Sequence, residues 1–293
     1  MGRLLKSFFF KLSKDLTFRI TLIVGVGIAL FITGFYLMID IAESMYDGTT
    51  KMLTGPGMLL TTLNPSDNFG LAIPINLITF VCLEFSQGTI RNKIIAGHSK
   101  HKIYASLFIS GLILAFSLLF TYVGLCTLIG FAFGGFNLDE PITSLTSVVA
   151  MMSMGAKIDA IYILEMLATA TVVYIAIISF TIFFATLFRS IGPCIPIVII
   201  VIMMLAFGSY VDLLEIFLGE EVDVSAIVNI VKYLNPLYVI SGGGASTAVN
   251  YSTGESFISI QTDAFIATIV NNLVYAGLFY MGGTFIFAKR DVK

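Results

Sequence analysis

The hydrophobic pattern alternates long apolar runs with short polar interruptions. Six runs approach or exceed the roughly 20 residues a helix needs to cross a bilayer. They are Phe18–Ile39, Phe69–Phe85, Ile103–Phe136, Ile158–Phe188, Ile191–Leu218 and Ala264–Ala288. The third and fourth are longer than a bilayer requires, so they must tilt, kink or protrude. Pro74 falls within the second, where proline kinks a helix, and Pro193 and Pro196 open the fifth, where it is tolerated. Ahead of the first run, residues 1–17 place Leu4, Leu5, Phe8, Phe9 and Leu12 on one helical stripe beside Lys6, Lys11 and Lys14. That pattern predicts a helix lying in the membrane interface. The last polar interruption, 219–262, is unusual. Its "VSAIVNIVKYL" is apolar at helical spacing and stops at Asn235-Pro236, and "YVISGGGAS" follows. Irregular glycine-rich backbone at membrane depth needs protein around it, so short helices packing at 222–250 against the spans are expected.

Composition turns this pattern into a class. The 293 residues are 57% hydrophobic and 12% charged, with a mean hydropathy of +0.97. A soluble domain carries about twice that charged fraction. The expected fold is one all-α polytopic domain over 1–293, with no soluble domain and no internal repeat. Cys82, Cys126 and Cys194 all lie inside apolar runs at no ligand spacing, so they read as small hydrophobes. The basic N-terminus continues into apolar sequence without a small-residue cleavage site, so no signal peptide is expected.

Net charge is −2 and says nothing about partners, but its distribution does. With six spans, Arg3, Lys6, Lys11, Lys14, Arg19, Arg91, Lys93, Lys100, Lys102, Arg189, Lys289, Arg290 and Lys293 share one side. Lys51, Lys157 and Lys232 share the other, with most carboxylates. The positive-inside rule then places both termini and the 86–102 loop in the cytoplasm, and 40–68, 137–157 and 219–262 outside.

That cytoplasmic loop, in "FSQGTIRNKIIAGHSKHKIYAS", is the one strongly basic interior stretch. Ser86 reads as an N-cap, Gly97 as a C-terminal stop and Ser99 as the N-cap of the third span. The enclosed helix, 87–96, would put Ile90, Ile94 and Ile95 on one side and project Arg91 and Lys93 elsewhere. Glu84, Gly88, Thr89, Ile90, Arg91, Asn92, Gly97, Ser99 and Lys100 match a pattern, and the stretch resembles the loop between the second and third spans of ABC-2-type transporter permeases. The likeness extends in outline to the interfacial helix, six spans, long final outer loop and basic "FAKRDVK" tail. Leu107 departs from it, standing close to where many relatives carry lysine.

The resemblance implies that 86–102 is a coupling loop docking on a cytoplasmic ABC ATPase. Glu84, Gly88, Thr89, Ile90, Arg91, Asn92, Ile94, Gly97, Ser99 and Lys100 would make or support that contact. It further implies a bacterial plasma-membrane exporter assembled from two permeases, identical or related, and two ATPases. The chain has no G-x-x-x-x-G-K-[ST], and Gly242–Gly244 are not followed by lysine. It is therefore expected not to be an enzyme and to bind no cofactor, ATP and magnesium belonging to the partner. The expected cargo is a hydrophobic or amphipathic peptide or drug. Glu165, the one carboxylate well inside a span, is a candidate contact on the pathway. His98 and His101, three apart, have no neighbouring carboxylate or cysteine to complete a metal site. A secondary transporter would need mid-span ionisable groups and paired broken helices. A multi-pass membrane enzyme would need clustered Glu and His, and H-E-x-x-H is absent.

Overall fold

The computed structural model describes residues 2–45, 53–65, 70–135, 157–209, 225–241, 245–250 and 255–290. Helix α1 spans Gly2–Lys14 and α2 spans Leu16–Ser44. Between them Asp15 Oδ1 accepts from the Thr17 backbone N–H at 2.9 Å and so caps the first turn of α2. There follow α3 (Gly55–Leu63), α4 (Ala72–Ser86), α5 (Thr89–Ile95) and α6 (Lys100–Gly134). A two-residue strand, β1 (Lys157–Ile158), leads into α7 (Ala160–Phe188), and α8 spans Ile191–Gly208. The chain then forms α9 (Ser225–Leu234), β2 (Ala245–Asn250), β3 (Glu255–Ile260) and α10 (Thr262–Lys289).

Helices α2, α6, α7, α8 and α10 are each long and apolar enough to cross a membrane, as in a multi-pass membrane protein. The expected second span appears as the 15-residue α4, followed by α5 after a 54° bend. The expected extension of the fifth span to Leu218 and most of the 137–157 loop lie outside the described residues.

Two expectations need correction. The first is local: the chain is mostly helical, as expected of an all-α polytopic protein, but β1, β3 and β2 form a small three-stranded sheet, β1 parallel and β2 antiparallel to β3. The alternation that buries Ile258 and Ile260 is a period-2 signal too short to stand out within a long loop. For the same reason 245–250 is strand rather than one of the short helices expected there. The second correction is α3, inside the segment read as an outer loop. Thr54 Oγ1 accepts from Gly57 N at 3.2 Å and Pro56 occupies the first turn, a regular helix start. All of α3 except Leu59 is buried.

Helix α3 packs on the C-terminal part of α6, where Gly130 and Gly134 leave room for backbone contact. A Cβ on Gly130 would stand 2.7 Å from the Thr54 carbonyl oxygen, and one on Gly134 would overlap that of Leu53. Overpacking of this kind costs about 1–3 kcal/mol. Gly134→Ala should therefore lower the unfolding midpoint in mild detergent. Gly124→Ala, on the same helix with open space around it, should not. Equal midpoints would refute this close approach.

The most extensive helix pair is α7 with α10. Both follow directly from the parallel strands β1 and β3, so they run in the same direction. Their N-termini, the sheet and the C-terminal ends of α6 and α8 gather at one end of the bundle. The other end collects α1, the α4–α5 bend, the start of α6, the α7–α8 corner and the end of α10. There Lys100 Nζ donates to the carbonyls of Ala288 (2.9 Å) and Arg290 (3.1 Å). Arg290 Nη1 in turn donates to Leu187 O at 2.7 Å.

Candidate functional site

The bend between α4 and α5 begins with a glycine. Gly88 adopts φ +66°, the left-handed region that costs a Cβ-bearing residue, and it precedes the first residue of α5. The N-cap is thus Gly88, where Ser86 was expected, and Ser86 is instead the last, exposed residue of α4. The helix covers 89–95 rather than 87–96. Its end follows the expected form: Gly97 at φ +84° donates to Ile94 O at 2.9 Å, and His98 N donates to Lys93 O at 3.2 Å. Ser99 then stands as the N-cap of α6 in extended conformation.

Beneath the bend lies a fully buried carboxylate, Glu84. Its Oε1 is 2.7 Å from Lys11 Nζ of α1, and its Oε2 is 2.9 Å from Lys93 Nζ of α5. The Thr89 hydroxyl lies 2.7 Å from Oε2 and 2.8 Å from the Glu84 carbonyl oxygen. Lys11 also donates to Gln87 Oε1 at 2.8 Å, tying α1 to the turn itself. Lys93 Nζ sits 3.2 Å from the centroid of the Phe8 ring, so it is held between a carboxylate and an aromatic face. Phe8 is buried against Phe80 of α4, with ring centroids 6.2 Å apart. Charged contacts of this length to a carboxylate that is itself fully buried fix the angle between α4 and α5.

The faces of α5 differ from those expected. Lys93, expected to project away from the isoleucines with Arg91, points inward, because buried Glu84 has no water to solvate it and takes a second cation. Ile90 is wholly buried within the protein's own bundle, and Ile94 is half-buried. Ile95, with 73% exposure, is the isoleucine left outside, beside exposed Arg91 and Asn92. The structure therefore brings together Glu84, Gly88, Thr89 and Ile90 as the inner support, and Arg91, Asn92 and Ile95 as the outer surface. Lys100 belongs to the same end through its bonds to the α10 terminus. Lys11 and Phe8 are members of the cluster that sequence reasoning missed.

Next to the bend, Arg189 closes α7 at φ 55° with its guanidinium 5.2 Å from the Phe85 ring centroid. Burial and, after it, the charge of Arg290 push that guanidinium below its ordinary value.

Glu165 does not join this cluster. It is half-buried near the start of α7, at the sheet end. A small apolar cleft, partly open to the surface, lies elsewhere, between α7 (Ala176, Ile177, Phe180), α8 (Ile202, Leu205) and α10 (Tyr275, Phe279). Pro236 closes one side of it. Residues 235–241 turn inward there: Leu237, Tyr238, Val239 and Ile240 are buried. Asn235 Nδ2 donates to Leu205 O at 2.7 Å and Asn272 Nδ2 donates to Pro236 O at 3.0 Å. Asn271 donates to Tyr233 O, and Asn76 donates to Thr21 Oγ1 between α4 and α2. Asn76 and Asn271 thus act as interhelical donors, while Asn272 ties α10 to the turn that follows α9.

No group of three or more His, Cys, Asp or Glu is placed to hold a metal ion among the described residues. Comparison with protein-family models, curated proteins and solved structures found no match for this chain.

Proposed function

We propose that the chain is the membrane-spanning permease subunit of an ATP-driven ABC transporter of the ABC-2 type. In this reading α4 is a sixth span, and the bundle end carrying α1, α5 and Arg189 faces the cytoplasm. Two copies, or this chain and a related permease, would sit above two ATPase subunits that bind ATP and magnesium. The observation that carries the reading is the buried Glu84 cluster. It makes α5 a short rigid lever, fixed to α1 and α4, that displays Arg91, Asn92 and Ile95 away from the bundle. A membrane subunit driven by a separate motor needs such a lever, since a flexible loop would absorb the motor's displacement. ATP-driven closure of the motor pair would push α5, and the angle set by Glu84 would pass that push to α4. The cargo in this reading is a hydrophobic or amphipathic peptide or drug, as the resemblance implies.

Sidedness and partnership are tested together. In a variant lacking Cys82, Cys126 and Cys194, an impermeant thiol reagent on intact cells should label Ser252→Cys and spare Ser99→Cys. Purification of the unmodified chain in mild detergent should retain a nucleotide-hydrolysing subunit. The reverse labelling pattern sinks the orientation; loss of all ATPase activity under conditions that keep the membrane complex intact sinks the ABC assignment.

A further inference from the structure

The two faces of α1 have different work. Phe8 and Lys11 turn toward the bundle and join the Glu84 cluster. Lys6, Phe10 and Lys14 recur every four residues and form one exposed stripe on the opposite side. Lys14 Nζ lies 5.1 Å from the centroid of Phe10, which is 66% exposed. Neither Lys6 nor Lys14 has a carboxylate partner among the described residues. Asp15, the nearest acid in sequence, is used to cap α2.

The position of the stripe selects its partner. It ends where α2 begins, and α2 presents Leu16 (70% exposed), Ile20 and Ile23 outward as an apolar wall for the lipid tails. The stripe therefore lies at the level of the headgroups, where an aromatic ring flanked by cations fits. We infer that Lys6 and Lys14 bind anionic phospholipid headgroups, and that this contact holds α1 in the position from which Lys11 reaches Glu84. Lipid charge would then govern how firmly the α4–α5 bend is braced. The inference needs a membrane but no ATPase, so it stands or falls separately from the ABC assignment.

The test is backbone hydrogen exchange of the full chain in nanodiscs of phosphatidylcholine alone or with phosphatidylglycerol. A lysine close to an anionic surface contributes roughly a fivefold factor in binding, so amides of 2–14 should exchange several-fold more slowly in the anionic discs. The spans should be unaffected. Lys6→Gln/Lys14→Gln should abolish the lipid difference, whereas Lys11→Gln should speed exchange in α1 and in 89–95 while keeping a lipid difference. Raising salt should erase the protection of the unmodified chain, an arm that needs no variant. Equal exchange in both lipids overturns the inference. So does inorganic phosphate reproducing the protection in neutral discs, which would mean capture of a free anion rather than a lipid surface.

Discussion

Glu84→Gln is expected to be the most damaging single change in the protein. It removes the one carboxylate facing two ammonium groups, and Lys93, its side chain only 13% exposed, is largely shut off from water between Phe8 and the bundle. Breaking a buried pair by removing one partner costs about 3–5 kcal/mol, mostly through the charge left behind. Lys11, partly exposed, can swing out and contributes less to that loss. The bend should loosen, visible as a broadened α1–α5 distance distribution between spin labels and as a lower unfolding midpoint. Adding Lys93→Met should recover most of the midpoint, because an apolar side chain of similar reach fits under Phe8 without needing a counter-charge. An unaltered midpoint in Glu84→Gln would mean that the cluster is not structural.

Arg91→Glu/Ile95→Asp should have the opposite profile, leaving the fold unchanged and abolishing the motor. Both side chains are exposed, so the variant should insert and unfold as the parent does. If α5 docks on an ATPase, Ile95 stands to bury its side chain there, worth about 1.5–3 kcal/mol. At 1.4 kcal/mol per decade that is roughly a ten- to hundredfold loss of affinity, before the reversed charge at Arg91 adds repulsion. Retention of the ATPase on purification and stimulated hydrolysis should both disappear. Ile90→Asp is the contrasting control, since Ile90 is fully buried and its replacement should destabilise the permease itself. If the double variant retains full hydrolysis, α5 is no docking surface.

The sequence announced this fold unevenly. Long apolar runs are read directly from composition, so α2, α6, α7 and α10 fall close to their expected ranges. The stop at Gly97 and the start at Ser99 were legible because helix ends are local chemistry. The inward turn of Lys93 was not, since it depends on the bend at Gly88, and a left-handed glycine is invisible as an angle in sequence. Lys11 lies 73 residues from Glu84 and carries no local mark of the pairing. Helix α3 had a visible cap at Thr54 and a proline, yet nine residues are too few to suggest a buried element beside a 20-residue span. The strands were hidden because two alternating isoleucines do not outweigh a polar loop.

The parallel pairing of α7 and α10 bears on the life of the chain during synthesis. Residues 160–188 emerge from the ribosome well before 262–289, and α7 carries fourteen buried residues. Until α10 arrives, part of that surface has only lipid or neighbouring helices to cover it. Helices of a membrane protein insert first and associate afterwards, so the core is completed last by its most C-terminal helix. A nascent chain halted between Phe188 and Thr262 would carry α7 with the side that α10 covers left open to lipid.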